Sequence, residues 1–346
     1  MRGLSFKDVP VRTFVLLCLW LCCALAHASE SGQSRAETAG RSLVGQPAPR
    51  MVLKTIDGQT IDLGTLYGKK AVYLKFWATW CVPCREQMPH FERTYEQAGP
   101  DMAVIAIDVG FDDSVEEVRK VQKQLGLGMP IVFDDGSLGE AFHLRVTPQH
   151  VVIGRDGRIL YVGHEANDKL DAALAQARTS STAQTASAAT PKDEPHYDIG
   201  DRVPAFDVRT LDGKSLPAFG VRPGQTTVLL FLSPWCESYL AKSRPALAAS
   251  CRTARERAEL LARDGQARWL GIASGLWASH DELAEYQREH HIAMPLALDD
   301  SGALFRRFRV MHVPTVIVLD AQGKVLRRSE DVDAAVPARQ TALTAR

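Results

Sequence analysis

Two cysteines three positions apart, Cys81 and Cys84, are the residues whose type and spacing most directly indicate chemistry. They follow an apolar run typical of a buried strand and begin a stretch typical of a helix. The free N–H groups and dipole at a helix N-terminus stabilise a cysteine there as a thiolate. A second cysteine one turn later can attack a mixed disulfide formed at the first. The pattern predicts a redox pair, with Cys81 as nucleophile and Cys84 as resolving thiol.

Two structural interpretations of this pair are less favoured. A zinc knuckle needs a second pair of cysteines or histidines at ligand spacing, and this half of the sequence offers none. A purely structural disulfide would close so short a loop that it would constrain the unfolded chain very little. We therefore expect redox catalysis that uses neither a metal nor another cofactor.

The composition is that of an ordinary globular protein and excludes several classes. The chain has 346 residues, enough for about two domains, of which 45% are hydrophobic. Lys+Arg and Asp+Glu both number 41, and this balance argues against a dedicated nucleic-acid-binding protein. Seven cysteines are few for a disulfide scaffold of this length.

The N-terminus has the pattern of a secretory signal peptide, residues 1–28. Three basic residues precede an apolar run at 13–26, and Ala26-His27-Ala28 supplies a small-x-small cleavage site. The alternative, a membrane anchor, would need roughly 20 apolar residues. No later segment of the sequence is long and apolar enough to span a bilayer. We expect a soluble, exported protein located in the periplasm, where thiol–disulfide chemistry is possible.

The remainder is an internal repeat. Each copy has a Gly-x-x-x-Pro entry, an Asp-Gly hairpin turn, a buried strand ending at Trp-Cys, then alternating helices and strands with an x-Pro step before the last two strands. This order predicts an α/β fold. The second copy is about eleven residues longer, which we place in a longer first helix. Residues 43–178 and 197–336 form the two predicted domains, and the Ser/Thr/Ala-rich segment 179–196 forms a linker.

The sequence F-W-A-T-W-C-V-P-C-R-E-Q-M-P (residues 76–89) resembles the exported bacterial thiol–disulfide oxidoreductases of the TlpA/ResA type. The resemblance covers roughly residues 43–175 and, less specifically, the second copy. It implies two tandem thioredoxin-like domains, each a central mixed sheet flanked by helices with an N-terminal hairpin. It also implies a Cys81–Cys84 disulfide, and a cis-Pro148 that docks substrate together with Trp80 and Thr147.

Two positions of the first copy depart from the family pattern. Lys75 stands where thioredoxins have a buried Asp and many relatives an Asn, so the usual base for the resolving thiol is missing. A buried ammonium there would favour a thiolate, whereas the alternative is a lysine that extends to the surface. Gln87 stands where the family tends to have Glu, with Glu86 one place earlier, and we transfer the role of that Glu to neither.

The second copy has a degenerate motif, in which Cys236 remains and Tyr239 replaces the resolving cysteine. Cys251 could substitute only if the chain turned back, because fifteen residues of continuous helix span about 22 Å. A disulfide needs Cα atoms within about 7 Å. We therefore expect Cys236 and Cys251 to be unpaired.

Several roles for Cys236 stay open. It could be a relic, a monothiol that forms mixed disulfides, or a Cu(I) ligand with Met311 and His312. A peroxidase is a further alternative, because Ser233 lies three residues before Cys236.

The favoured function is that of a disulfide reductase with a protein disulfide as substrate. A membrane-bound thiol donor would re-reduce the Cys81–Cys84 pair, as the family resemblance implies. Because a site without a resolving thiol cannot turn over efficiently, we expect the second domain to bind partners. Its x-Pro loop at Pro314 would then serve as a docking groove.

Overall fold

The computed structural model describes residues 31–183 and 195–336. The predicted signal peptide and the middle of the predicted linker lie outside these residues. Within the described residues, no helix combines the length and apolarity that crossing a membrane requires.

The first domain is built around one five-stranded sheet. Its helices are α1 (Gly32–Gly40), α2 (Leu63–Leu66), α3 (Val82–Glu86), α4 (Met88–Glu96), α5 (Val115–Leu125), α6 (Ser137–Ala141) and α7 (Asp168–Thr179). Its strands are β1 (Val52–Lys54), β2 (Thr60–Asp62), β3 (Ala71–Trp77), β4 (Met102–Asp108), β5 (Ile131–Phe133), β6 (Gln149–Ile153) and β7 (Ile159–Gly163).

The second domain repeats this plan. Its strands are β8 (Asp207–Arg209), β9 (Ser215–Pro217), β10 (Thr227–Leu232), β11 (Arg268–Ser274), β12 (Leu296–Asp299), β13 (Thr315–Leu319) and β14 (Val325–Ser329). Its helices are α8 (Cys236–Tyr239), α9 (Pro245–Arg263), α10 (His280–Glu289), α11 (Ala303–Arg307) and α12 (Val332–Ala335).

The two large sheets have the same topology, in the orders β5-β4-β3-β6-β7 and β12-β11-β10-β13-β14. In the first sheet, β5, β4 and β3 are parallel, β6 is antiparallel to β3, and β7 is antiparallel to β6. In the second sheet, β12, β11 and β10 are parallel, β13 is antiparallel to β10, and β14 is antiparallel to β13. All seven residues of β3 are buried, because helices cover both faces of the sheet. The predicted α/β class and the mixed sheets flanked by helices are confirmed.

A short antiparallel hairpin precedes each sheet, as the Asp-Gly turns predicted. Gly58 and Gly213 occupy the turns with φ of 83° and 81°, a conformation that favours glycine. Each hairpin then bonds to the edge strand of its own sheet, through the Ile56 amide in one copy and the Leu211 amide in the other.

The helix after the Trp-Cys pair is interrupted in both domains. In the first, α3 ends at Glu86 and α4 begins at Met88, with Pro89 in the first turn of α4. In the second, α9 has 19 residues where α4 has nine, so the extra length lies in the predicted helix.

The structure shows that the expectation of two unpaired cysteines in the second domain is wrong. Cys236 and Cys251 form a disulfide, with Cα atoms 6.3 Å apart. The expectation assumed one continuous helix, but α8 ends at Tyr239 and a new helix begins at Pro245, a residue suited to the first helical position. The intervening turn lets the chain change direction, which brings the two cysteines together.

This disulfide should stabilise the second domain. Replacing both Cys236 and Cys251 by alanine should lower the free energy of unfolding by about 3 kcal/mol, the value expected for a loop of this length. Chemical denaturation under non-reducing conditions measures the change. The disulfide also predicts that Cys236 and Cys251 of the unmodified protein do not react with an alkylating reagent after denaturation without reductant. Alkylation of both residues under these conditions would contradict the disulfide.

Candidate active site

The predicted redox pair forms a disulfide at the junction of β3 and α3. Cys81 and Cys84 have Cα atoms 5.2 Å apart. Cys81 is the N-cap residue of α3, and its sulfur accepts a hydrogen bond from the Cys84 amide at 3.3 Å. Both cysteines are buried, with exposed fractions of 2% for Cys81 and 0% for Cys84. The geometry provides the disulfide that thiol–disulfide exchange requires.

Lys75 belongs to the buried strand β3, and its side chain does not reach the surface. Its side chain is fully buried, and its ammonium donates a hydrogen bond to the Cys84 carbonyl at 3.3 Å. The Nζ atom also lies 5.5 Å from the ring centroid of Phe91. Burial lowers the pKa of Lys75 to about 7, because the charged form has lost its hydration. The alternative interpretation, in which the Lys75 side chain extends to the surface, is therefore wrong.

A buried polar network adjoins Lys75. His150 lies directly opposite Lys75 in the β3–β6 pairing. Its Nδ1 atom is 2.8 Å from the Tyr73 hydroxyl, and its Nε2 atom is 2.8 Å from the side-chain oxygen of Gln87. Burial lowers the pKa of His150 well below its usual value, and the charge of Lys75 acts in the same direction. This imidazole is therefore neutral at pH 7.

The x-Pro loop lies where the resemblance implied, beside Cys81. The peptide bond between Thr147 and Pro148 is cis. Thr147 and Cys81 line the same cavity, and the Pro148 carbonyl lies 2.7 Å from Nδ1 of His164. Trp80, also assigned to substrate binding, lines this cavity and donates from its indole nitrogen to the Phe111 carbonyl at 2.9 Å. The structure thus brings the sequence-predicted residues together.

The second domain covers this site. Its Trp235 stacks on Trp80, with ring centroids 5.1 Å apart. Trp277 meets Trp80 edge to face at 4.7 Å. Tyr239, which replaces the resolving cysteine, accepts a hydrogen bond on its hydroxyl from the Val82 amide at 3.2 Å. The degenerate motif of one domain therefore faces the catalytic motif of the other.

The two domains exchange equivalent contacts. The Trp277 amide donates to the Arg145 carbonyl at 2.9 Å, and the Asp112 amide donates to the Met311 carbonyl at 2.7 Å. Arg145 and Met311 each lie three residues before the cis-proline of their own domain. Each domain thus pairs its x-Pro loop with the loop after the second core strand of the other, as in a two-fold dimer.

Charged groups reinforce this contact on one side. Arg244 of the second domain lies 2.8 Å from the buried carboxylate of Asp113 and 3.2 Å from Glu117. It also donates to the Thr79 hydroxyl at 2.9 Å and to the Asp112 carbonyl. On the other side of the contact, Arg306 pairs with Glu140 at 2.5 Å.

A cavity of about 340 Å³ remains between the domains beside Cys81. Its walls combine residues of both domains and of α1: Gly32, Arg35, Trp80, Cys81, Pro83, Val146, Thr147, His164, Trp235, Tyr239, Trp277 and Glu282. Arg35 and Glu282 form an ion pair of 2.6 Å across the two domains. Cys81 lines this cavity whereas Cys84 is not among its lining residues.

The structure corrects two expectations for the second domain. Its x-Pro loop is not an open docking groove, because the amide of Val313 donates to Asp112 of the first domain at 3.1 Å. The Cu(I) set does not form, since Cys236 is in the disulfide with Cys251 and His312 lies 3.5 Å from Asp112. A peroxidase would likewise need Cys236 as a free thiol. In residues 31–183 and 195–336, no group of three or more His, Cys, Asp or Glu side chains is placed to hold a metal.

Sequence reasoning missed two residues of the site, His150 and Trp277, and one residue of the domain contact outside it, Arg244. His150, Trp277 and Arg244 act through contacts that join segments distant in the chain. His150 had a weak signal, since a histidine two residues after the x-Pro step interrupts an apolar strand. Trp277 and Arg244 had none, because they function only when the domains meet.

The sequences of known thiol–disulfide oxidoreductases agree with this site. The family model described as "AhpC/TSA family" matches residues 44–162. Thiol-disulfide oxidoreductase ResA of Halalkalibacterium halodurans is 35% identical over 127 residues, which are 36% of this chain and 71% of the relative. ResA of Bacillus subtilis is 31% identical over 156 residues, covering 44% of this chain and 82% of the relative. A crystal structure of a thioredoxin-family thiol:disulfide interchange protein from Chlorobium tepidum is 26% identical and covers 39% of this chain and 97% of that one, with a TM-score of 0.35.

The fold and the buried CxxC disulfide define a thioredoxin-like thiol–disulfide oxidoreductase. The chain belongs to the family of the ResA thiol–disulfide oxidoreductases. The predicted enzyme class is confirmed.

Burial of Lys75 should make stability depend on pH. Its pKa in the folded, oxidised protein is about 7, below the value of 10.5 for an unperturbed lysine, so the unfolded chain binds more protons between these values. The free energy of unfolding should therefore rise with pH from about pH 7 to about pH 10, by up to about 1.4 kcal/mol per unit from this group.

Lys75→Met should remove this slope and stabilise the oxidised protein at pH 7. Urea denaturation of the oxidised form at several pH values measures the free energy of unfolding and its slope with pH. Lys69→Met, which changes an exposed lysine before the same strand, is the control and should keep the wild-type slope. Equal slopes in all three proteins would contradict the assignment.

Proposed function

We propose that the protein is an exported disulfide reductase in which Cys81 attacks the substrate and Cys84 resolves the intermediate. The observation that carries this assignment is that Cys81 lines the interdomain cavity, while Cys84 is fully buried behind it. An incoming disulfide can reach only a sulfur that faces open space. The hydrogen bond from the Cys84 amide to the Cys81 sulfur favours the thiolate that attack requires.

The proposed reaction conserves atoms and electrons. The Cys81 thiolate attacks one sulfur of a protein disulfide, which forms a mixed disulfide and releases the other substrate sulfur as a thiolate. Cys84, deprotonated, then attacks Cys81, which closes the Cys81–Cys84 disulfide and releases the second substrate thiol. Two electrons have passed to the substrate. A membrane-bound dithiol donor then supplies two electrons to the Cys81–Cys84 disulfide by the same kind of exchange and is itself oxidised to a disulfide.

In this proposal Lys75 assists the thiols by its charge. Its ammonium lies against the Cys84 carbonyl, deep behind the pair, where the nearby protein replaces water. A thiolate formed there would face a positive charge at low effective dielectric constant, which lowers the thiol pKa. With a pKa of about 7 in the oxidised form, the amine can also take up a proton when a thiol ionises.

Export rests on the N-terminal sequence. The basic, apolar and small-residue segments of residues 1–28 support cleavage after Ala28 and release into the periplasm. The second disulfide, Cys236–Cys251, supports an oxidising compartment, because such bonds are rare in reducing ones.

Cys81→Ser should lower dithiothreitol-driven reduction of a low-molecular-weight disulfide to the uncatalysed rate, since the remaining thiol of the pair, Cys84, is fully buried. Cys84→Ser should instead accumulate a mixed disulfide at Cys81, detectable by intact-mass spectrometry without reductant. Cys236→Ala/Cys251→Ala is the control and should retain activity. Turnover in the Cys81→Ser variant would contradict the nucleophile assignment.

Lys75→Met should raise the pKa of the Cys81 thiol in the reduced protein by about one unit, because a nearby positive charge is lost. The ultraviolet absorbance of the thiolate, recorded against pH, measures it. Lys69→Met again serves as the control. An unchanged titration in Lys75→Met would show that the ammonium does not act on this thiol.

A further inference from the structure

The second domain restricts access to the catalytic disulfide. Cys81 is 2% exposed and lines a cavity together with Trp80, Trp235 and Trp277. The two indoles of the second domain contact Trp80, the residue directly before Cys81. A folded protein cannot bring a disulfide sulfur to Cys81 without displacing these two indoles. The cavity of about 340 Å³ is at the small end of sites that hold small molecules.

The cavity is nevertheless accessible to small molecules. Tyr239 lines the cavity and is 44% exposed, and its hydroxyl accepts a hydrogen bond from the amide of Val82, which is 52% exposed. The interior is mostly apolar and aromatic, and its charged side chains Arg35 and Glu282 neutralise each other. The closed site therefore suits a small, uncharged disulfide or thiol.

Trp277 and Tyr239 also form hydrogen bonds with polar groups of the first domain beside Cys81, so these groups are not free to bind a substrate. Trp277 donates from its indole nitrogen to the Thr147 hydroxyl at 2.9 Å and from its backbone amide to the Arg145 carbonyl. Tyr239 accepts from the Val82 amide, between the two cysteines. An extended substrate segment would have to replace these contacts as well as part the indoles.

We infer that Trp235, Tyr239 and Trp277 are specificity-determining residues that close the active site against protein disulfides. In the closed arrangement the Cys81–Cys84 pair exchanges only with small disulfides that fit the cavity. Protein disulfides react when the two domains separate. This inference rests on the proposed function, since it concerns which substrates reach Cys81.

The ion pairs at the domain contact offer a way to open the site without altering it. Arg244 and Arg306 face carboxylates of the first domain and do not line the cavity beside Cys81. Reversing both charges in Arg244→Glu/Arg306→Glu puts like charges opposite each other, one of them against the buried Asp113. Leaving that carboxylate unpaired is strongly unfavourable.

The control reverses the same number of charges within the second domain alone. Arg257 pairs with Asp333 and Arg309 pairs with Asp198, both on the surface of that domain. The variant Arg257→Glu/Arg309→Glu therefore has the same net charge with the domain contact intact. Trp277→Ala is a second opening variant that keeps the interdomain ion pairs of Arg244 and Arg306.

The test compares rates of insulin reduction and of hydroxyethyl disulfide reduction by the full-length proteins. We expect Arg244→Glu/Arg306→Glu to raise the insulin rate at least tenfold and to change the hydroxyethyl disulfide rate less than twofold. The control should match the wild type on both substrates, and Trp277→Ala should raise the insulin rate by a smaller factor. An insulin rate that stays at the wild-type value in both opening variants would overturn the inference.

An independent readout does not need catalysis. After reduction of the Cys81–Cys84 pair, a small maleimide should label Cys81 at similar rates in all variants. A maleimide carrying a large polyethylene glycol chain should label the opened variant at least tenfold faster than the wild type. Equal labelling of the opened variant and the wild type by the large reagent would overturn the inference that the second domain closes the site. Faster labelling of the opened variant, combined with inactivity on both disulfides, would instead refute the proposed function.

Discussion

The stacking of Trp80 on Trp235 is the contact on which the arrangement of the site depends. Each indole immediately precedes the first cysteine of its own domain, so stacking them brings the two motif faces together. Trp277 completes the group with edge-to-face contacts to both, at 4.7 and 5.2 Å. Aromatic contacts of this kind contribute about 0.5–1.5 kcal/mol each beyond the apolar area that they bury. The remaining interdomain hydrogen bonds follow from this docking.

The domain arrangement explains why the second domain has Tyr239 where the first has the resolving cysteine. Tyr239 at that position extends to the amide of Val82 and lines the cavity. A cysteine is too short to make the same bond. Cys236, no longer paired within its motif, joins Cys251 and fixes α9 to the start of α8. The second domain thus has the same fold as the first, with a Cys236–Cys251 disulfide and a surface that contacts the first domain in place of a second redox pair.

Electrostatics on the buried side of the pair differ from those on the cavity side. Behind the disulfide, Lys75 and His150 face each other within the sheet, and burial disfavours the charged form of both. On the cavity side, Arg35 and Glu282 neutralise each other. Behind the thiols, Lys75 is thus a buried base whose pKa of about 7 lies near neutral pH.

The sequence by itself determined the repeat, the α/β order, the hairpins and the identity of the redox pair. These features arise from local patterns: strand runs, turn residues and a four-residue motif at the start of a helix. The burial of Lys75 was left open, because a strand pattern does not reveal whether a long side chain extends outward. The pairing of Cys236 with Cys251 was missed because a turn within an apparently helical segment redirects the chain. Only the tertiary structure decided that the domains meet through their motif faces, since the contacts of Trp235, Trp277 and Arg244 join residues more than 100 positions apart.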